Sequence, residues 1–324
     1  MTHDDQGIAE DTTVRIGPPP FLAPGTAERQ HPSGAVIHQS LTYSLPDGYR
    51  PLHMDVYVPI GLDAPPPCVV WIHGGAWLFG SRQTPPDYWP EGALFQTAID
   101  AGLAVASIDY RHSREASFPA QLHDAKAAVR YLRRFADRLG IDGNRIAAWG
   151  ESAGGHLAAL LGLVDDPALE GAEGVLGESS AVDAVVDFYG VSDVDTLPSF
   201  LESLPAEFVA HLLAKGTASE ADPTSVILAR TPLDPKDARR VLSPVHHARA
   251  GAPPFLLVHG DADGLVPLSQ SDQLLEALET VGVSVDLSIV EGGDHVFLGA
   301  DPLPPIKLAV EFLRTRLADP KGTI

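Results

Sequence analysis

The chain is poor in cysteine and in basic residues. Its single cysteine, Cys68, cannot form an intramolecular disulfide. This residue begins the apolar run 68–72, which is typical of a buried strand, so we interpret it as a small core residue and not as a nucleophile. Lys and Arg number 22 against 43 Asp and Glu, a net charge of −21. A nucleic acid or an anionic membrane surface needs a basic patch, so neither is expected as a partner.

Long apolar runs and cofactor motifs are also missing. No run of about 18 apolar residues is present, so no membrane-spanning helix is predicted. Residues 1–5 contain neither a basic nor an apolar stretch, so we expect no signal peptide and a cytoplasmic protein. No phosphate-binding loop or dinucleotide fingerprint occurs, so no cofactor is implied. His246 and His247 have no third ligand at a suitable spacing, so no metal site is predicted.

The residue pattern predicts an α/β protein. With 44% hydrophobic residues, the chain can bury a sizeable core. Apolar and alternating runs alternate with amphipathic stretches, which is typical of a mostly parallel sheet with helices on both faces. Eight strands are predicted, at 38–43, 53–58, 68–73, 103–109, 145–149, 182–189, 255–259 and 283–290. The main helices are predicted at 119–139, 153–163, 268–280 and 305–317.

Four segments are predicted along the chain. Residues 1–34 are rich in proline and glycine and form an arm, either mobile or laid over the body as a cover. Residues 35–318 form the main domain, and 319–324 form a C-terminal tail. Residues 192–250 contain no convincing strand and are too long for an ordinary connection, so we interpret them as an inserted cap. Ligands bind at the carboxyl ends of strands in such sheets, and that is the end we expect the cap to cover.

The strongest chemical signal is Gly150-Glu151-Ser152-Ala153-Gly154. It follows a predicted strand and opens a predicted helix, the context in which a G-x-S-x-G motif presents a nucleophile on a sharp turn. The flanking glycines are required because side chains there would clash. A non-catalytic, glycine-rich turn is the alternative for the motif taken alone.

A second signal, His73-Gly74-Gly75-Ala76-Trp77, follows the third predicted strand. Glycines let backbone N–H groups approach a substrate, so Gly74 and Gly75 are predicted oxyanion donors together with the N–H of Ala153. His73 is interpreted as an anchor of this loop and not as a base.

Two further loops supply an acid and a base. Asp261 and Asp263 follow one strand, and His295 follows the last strand. The order Ser152, Asp263, His295 matches the Ser…Asp…His order of one fold family. Asp263 is favoured as the acid, and Asp261 is interpreted as shaping its loop. Aromatic and apolar residues beside the motifs are weaker candidates for the substrate pocket; they are Trp77, Phe79, Trp89, Tyr189 and Val296.

Together these motifs resemble the α/β-hydrolase superfamily, and most closely bacterial esterases of the hormone-sensitive-lipase type with their feruloyl-esterase-like and acetyl-esterase relatives. The resemblance covers about 35–318 and includes Asp109-Tyr110-Arg111, Ser243-Pro244 and Gly293-Asp294-His295. It implies Ser152 as nucleophile, His295 as base and Asp263 as orienting acid. One departure is Ala76, where the fuller family motif has a third glycine, associated with esters of tertiary alcohols.

The function expected from these residues is hydrolysis of short- to medium-chain carboxylic esters through an acyl-Ser152 intermediate. The expected partner is a small-molecule ester, and a homodimer is left open. Two alternatives remain: an amide hydrolase, such as an exopeptidase or an arylformamidase-like enzyme, with the same triad, or a binding protein that has the fold without the activity.

Overall fold

The computed structural model describes residues 19–318 apart from 26–28, 32–33, 84, 204–205 and 217. Most of the predicted arm, at 1–18, and the predicted tail at 319–324 lie outside the described residues. The described part of the arm packs on the body: Leu22 donates its N–H to the carbonyl of Thr42, and the ring of Phe21 meets that of Tyr131 edge-on. These contacts place residues 19–25 against the body of the domain.

Each of the eight predicted strands is present, and a short ninth strand lies inside the predicted arm. In chain order the strands are β1 Arg29–His31, β2 Ala35–Ser44, β3 Leu52–Pro59, β4 Pro67–Ile72, β5 Ala104–Ile108, β6 Asp142–Glu151, β7 Val185–Phe188, β8 Phe255–Gly260 and β9 Val285–Val290. They form one sheet in the order β1-β2-β3-β5-β4-β6-β7-β8-β9. Pairing is antiparallel from β1 to β5 and parallel from β5 to β9.

Helices cover both faces of this sheet. They are α1 Ala93–Asp100, α2 Ala120–Arg134, α3 Ala136–Leu139, α4 Ala153–Leu163, α5 Ala206–Lys215, α6 Ala218–Ala221, α7 Pro223–Leu228, α8 Pro235–Leu242, α9 Ser269–Thr280 and α10 Leu303–Arg316. Short 3-10 turns occur at Pro167–Leu169, Phe200–Ser203, Pro244–His247 and His295–Phe297. In the part of the chain that the structure describes, no helix is both long and apolar enough to cross a bilayer.

Strand β4 shows how the sequence creates two cores. Its residues are buried on both faces, as expected for a central parallel strand. Cys68 and Val70 point into the core that α2, α4 and α9 cover. Val69 and Trp71 point into the core that α1 and α10 cover. Because successive side chains alternate, one continuous apolar run serves both layers.

The helical predictions differ from the structure in two places. The predicted helix at 119–139 is divided at Phe135, where α2 ends and α3 begins. Helix α1 was not predicted at all. The stretch between β7 and β8, which includes the predicted cap at 192–250, contains helices and turns and no strand among its described residues.

Candidate active site

Ser152 lies on a sharp turn between β6 and α4. Its backbone has φ 53° and ψ −121°, a conformation that side-chain-bearing residues rarely adopt. The flanking glycines permit the turn: a Cβ on Gly150 would lie 2.1 Å from the carbonyl oxygen of Gly154, and one on Gly154 would lie 2.0 Å from that of Ile72. The sequence therefore forces the serine side chain outward at the carboxyl end of the sheet.

Three residues from distant parts of the chain meet at this turn. Ser152 Oγ lies 3.0 Å from His295 Nε2. On the other side of the ring, His295 Nδ1 lies 2.8 Å from Asp263 Oδ2. With Nδ1 carrying the proton, the ring donates to Asp263 and its Nε2 is free to accept the serine hydroxyl proton. The structure thus brings the three predicted residues together in the predicted order.

Asp263 is held as an anion in a buried position. Burial alone would raise its pKa, but hydrogen bonds from the imidazoles of His259 and His295 outweigh burial and lower the pKa well below its usual range. Its Oδ1 also accepts the N–H groups of Leu265 and Val266 at 2.9 and 2.8 Å. His259, which the sequence analysis did not single out, lies with Nε2 2.8 Å from the Val266 carbonyl and 3.4 Å from Asp263 Oδ2.

The neighbouring carboxylates shape the loops. Asp261 Oδ1 accepts the N–H of Gly292 at 2.7 Å, which ties the acid loop to the histidine loop. Asp294 Oδ1 accepts the N–H groups of Gly264 and His295 at 2.9 and 2.7 Å. Asp263, and not Asp261, is therefore the carboxylate in contact with the imidazole.

The prediction that Gly74 is an oxyanion donor is wrong. Its N–H is already donated to Glu151 Oε1, at 2.6 Å. Only glycine permits this close approach, since a Cβ at position 74 would lie 2.2 Å from the same oxygen. Glu151 is buried, and burial raises the pKa of its carboxyl group although the charge of nearby His295 opposes the shift. The buried Glu151 side chain thus anchors the loop that follows β4. Its position next to Ser152 in the sequence does not reveal this role.

Three other N–H groups remain free at the serine. Those of Gly75, Ala76 and Ala153 make no hydrogen bond to any residue that the structure describes. Gly75, Ala76 and Trp77 have φ of 105°, 53° and 58° in succession, so the loop is held in a strained, left-handed course. Ala76 occupies this conformation where the fuller motif has glycine. Of the predicted donors, Gly75 and Ala153 therefore remain candidates, and Ala76 joins them.

His73 and Trp77 fix the ends of this loop. His73 Nδ1 lies 2.7 Å from the carbonyl of Gly74, and its ring stacks on Tyr110 with centroids 4.4 Å apart. Trp77 donates its indole N–H to His156 Nδ1 at 3.2 Å. His156 in turn donates from Nε2 to the carbonyl of Leu242 at 2.7 Å. Burial lowers the pKa of His156 to about 4, so the ring stays neutral and can accept from Trp77.

Two adjoining spaces open at Ser152. The first, which we call the serine cavity, has a volume of about 390 Å³. It is lined by Ser152, His295, 74–76, 78–80, 85–88 and residues between β7 and β8 such as Phe200. The second, which we call the inner pocket, has a volume of about 60 Å³ and is lined by Ser152, Ala153 and mainly apolar side chains, among them Trp77 and Leu197. His295 lines the serine cavity but not the inner pocket.

Of the five predicted pocket residues, three line these spaces. Phe79 and Val296 line the serine cavity, and Trp77 lines the inner pocket. The predictions for Trp89 and Tyr189 are wrong, since both are buried in the core. Trp89 donates its indole N–H to the carbonyl of Val296 at 3.0 Å, and the Tyr189 ring lies 5.0 Å from that of His295. Both residues therefore contact the loop that carries His295 from its buried side.

Among the described residues, no three His, Cys, Asp or Glu side chains are grouped as a metal ion requires. The arrangement found can instead transfer a proton from Ser152 to His295 and present N–H groups to a developing negative charge.

The sheet order, the serine turn and the Ser–His–Asp contacts define the α/β-hydrolase class. Within that class, the BD-FAE family model matches residues 54–278, and the chain belongs to this family. It is 34% identical over 238 residues to esterase LipC of Mycobacterium tuberculosis, a match that covers 72% of this chain and 53% of LipC. It is 30% identical over 273 residues to the probable carboxylic ester hydrolase LipM of the same organism, covering 81% of this chain and 57% of LipM. The chain thus spans about half the length of the curated relatives it matches.

The match covers a larger share of two solved structures than of the curated relatives. A truncated form of a carbohydrate esterase from gut microbiota aligns with a TM-score of 0.74 and 26% identity, covering 89% of this chain and 99% of that one. Esterase Est2 of Thermogutta terrifontis aligns with a TM-score of 0.64 and 27% identity, covering 90% and 95%. The mostly parallel sheet with helices on both faces is therefore the predicted α/β-hydrolase fold.

Proposed function

We propose that the protein is a serine carboxylesterase that hydrolyses short- to medium-chain esters of small molecules through an acyl-Ser152 intermediate. The observation that carries this proposal is the hydrogen-bonded series Ser152–His295–Asp263, with contacts of 3.0 and 2.8 Å, at the edge of an open cavity. The names of LipC and LipM, an esterase and a probable carboxylic ester hydrolase, support the same reaction.

In the first half of the proposed reaction, Ser152 Oγ attacks the ester carbonyl carbon while His295 Nε2 takes the hydroxyl proton. The carbonyl oxygen becomes an oxyanion, which the free N–H groups of Gly75, Ala76 and Ala153 stabilise. Each such donor is worth roughly 10²- to 10³-fold in rate. The bond to the alcohol oxygen then breaks, and the imidazolium of His295 gives that oxygen its proton, so the neutral alcohol leaves.

The second half repeats these steps with water. His295 Nε2 takes a proton from the water, the resulting hydroxyl attacks the acyl carbon, and the proton passes to Ser152 Oγ as the carboxylic acid leaves. Asp263 keeps the imidazole in the Nδ1–H form and stabilises its cation in both halves. Because Asp263 holds its charge through several hydrogen bonds, it is ionised throughout the cycle.

The two spaces suggest which side of the ester goes where. The alcohol must receive its proton from His295, which lines the serine cavity and not the inner pocket. The acyl chain is therefore assigned to the inner pocket of about 60 Å³. At about 15 Å³ for each water-sized sphere, that volume corresponds to about four spheres, which limits the acyl chain to roughly four carbon atoms.

The acyl preference gives one testable prediction. With p-nitrophenyl esters, we expect kcat/KM to be highest from acetate to butyrate and to fall at least about tenfold by decanoate, because a longer chain overpacks the inner pocket. Leu197→Ala enlarges this pocket, so it should move the preferred chain length upward. Leu62→Ala is the matched control, since Leu62 is exposed and precedes β4 at the opposite end of the sheet. A flat series in the unmodified protein would contradict the assignment of the inner pocket.

The ester assignment is tested by p-nitrophenyl butyrate beside the corresponding p-nitroanilide. We expect turnover of the ester, slow or no turnover of the anilide, and labelling of Ser152 by a fluorophosphonate probe. Preferred hydrolysis of the anilide would favour the amide-hydrolase alternative. Absence of both turnover and labelling would favour a binding protein.

Glu151 supplies a further prediction, because its carboxylate holds Gly74 in place at 2.6 Å. Glu151→Ala is expected to lower kcat by about 10- to 100-fold with little change in KM, since a displaced loop loses alignment of oxyanion donors that act only in the transition state. Glu151→Gln retains an oxygen that can accept the same N–H, so it should retain most of the rate. Steady-state kinetics give kcat and KM for both variants. The comparison is made at a temperature at which thermal melting shows that both variants are folded. Equal losses in the two variants would contradict an anchoring role of this hydrogen bond.

A further inference from the structure

The exposed part of the serine cavity, which we call its mouth, is lined by aromatic and acidic residues. Two aromatic rings, Phe79 and Tyr88, line it while remaining 63% and 68% exposed. Between them in the sequence lies Asp87, which also lines the cavity and is exposed. Within the described residues, Asp87 forms no ion pair, and neither ring packs against another aromatic ring. An exposed carboxylate and two exposed aromatic rings therefore line the space that a bound molecule would enter.

Positive charge is missing from the same lining. Apart from Tyr88, the ionisable residues that line the described serine cavity are Asp87, Glu151 and His295, with no Lys or Arg among them. The basic residue nearest in sequence, Arg82, is already neutralised by Asp55 and Asp109, at 3.1 and 2.8 Å. The chain as a whole carries a net charge of −21, which favours the approach of cations over that of anions.

These groups together favour a cation. The faces of aromatic rings attract ammonium groups, and they do so best where a carboxylate lies nearby and water is partly excluded. An anion at the same place would meet the like charge of Asp87, and no Lys or Arg among the described lining residues would offset it. The alcohol part of the ester lies on this side, because His295 must protonate the leaving oxygen there.

We propose that the serine cavity selects esters whose alcohol carries a permanent ammonium cation over uncharged esters of the same shape. This inference rests on the proposed esterase function and adds a substrate class to it. One exposed carboxylate and one or two ring contacts correspond to a preference of about 3- to 10-fold in kcat/KM.

The experiment compares 2-(trimethylammonio)ethyl acetate with 3,3-dimethylbutyl acetate, which has a carbon atom in place of the nitrogen. We expect the cationic ester to have the higher kcat/KM at low ionic strength, and the ratio to fall as sodium chloride screens Asp87. Asp87→Asn should lower the ratio. Asp63→Asn is the control of equal charge change, because Asp63 is exposed and precedes β4 at the opposite end of the sheet.

A second variant tests the rings separately. Tyr88→Leu keeps an apolar side chain but removes a π face, so it too should lower the cationic-to-neutral ratio, and this loss should persist in high salt. Hydrolysis of both esters at equal kcat/KM, or a ratio that Asp63→Asn lowers as much as Asp87→Asn, would overturn the inference while leaving the esterase function standing. Failure to hydrolyse either ester, or p-nitrophenyl acetate, would instead overturn the proposed function.

Discussion

Ser152→Ala is expected to lower kcat for p-nitrophenyl butyrate by about 10⁴- to 10⁶-fold. The variant removes the attacking oxygen but leaves the N–H groups of Gly75, Ala76 and Ala153 in place. A small residual rate over water should therefore remain, because oxyanion donors and binding act without the nucleophile. Stopped assays at high enzyme concentration can measure this residual rate. Labelling by a fluorophosphonate should disappear completely.

The matched control is Ser219→Ala, which removes an exposed hydroxyl in α6. It should change kcat less than about twofold, as expected for a surface substitution. If Ser152→Ala kept a rate close to that of the unmodified protein, the nucleophile would have to be another residue, and the proposed mechanism would be wrong.

The second large effect concerns the acid. Asp263→Asn is expected to lower kcat by about 10³- to 10⁴-fold at neutral pH. The amide cannot stabilise the imidazolium, and its N–H₂ group can turn His295 into the tautomer whose Nε2 carries the proton. In that form, the ring has no basic nitrogen 3.0 Å from Ser152 Oγ.

Asp261→Asn is the matched control for this prediction. Asp261 accepts the N–H of Gly292 and does not touch the imidazole, and an asparagine oxygen can accept the same bond. Its kcat should remain within about threefold of the unmodified value. A larger loss from Asp261→Asn than from Asp263→Asn would reverse the assignment of the acid.

The serine turn could be predicted because most of its causes are local. Gly150 is required by its contact with Gly154 inside the motif, and the apolar runs on either side identify the strand and helix. Gly154 is required by a contact with Ile72 on β4, which the motif carries without showing it. The positions of Asp263 and His295 followed from the rule that parallel strands end at one edge of a sheet. Under that rule, the loops after β6, β8 and β9 lie together, and their side chains Ser152, Asp263 and His295 can come into contact.

The errors have long-range causes. The N–H of Gly74 is occupied by a residue 77 positions away, and no local pattern reveals that contact. Trp89 donates to a carbonyl 207 positions away, so its sequence neighbours could not show that it belongs to the core. Tyr189 follows β7 directly, but its ring turns inward against His295 and Phe297.

Two elements were missed because their own sequences signal weakly. Helix α1 has only eight residues and no side-chain hydrogen bond at its start, where Gly92 has a left-handed backbone. Strand β1 has three residues and pairs only with β2. Short elements of this kind depend on packing with the rest of the domain, which the local pattern does not contain.

The link from Trp77 through His156 to the Leu242 carbonyl bears on how this fold could be engineered. One end belongs to the loop that contains the free N–H groups of Gly75 and Ala76. The other end belongs to α8, the last α-helix between β7 and β8 in the described chain. A chimera that exchanges 192–250 for the corresponding segment of a relative would leave the imidazole without an acceptor unless the graft restores a carbonyl at that point. Exchange of this segment to alter selectivity should therefore preserve the end of α8, or replace His156 and Trp77 along with it.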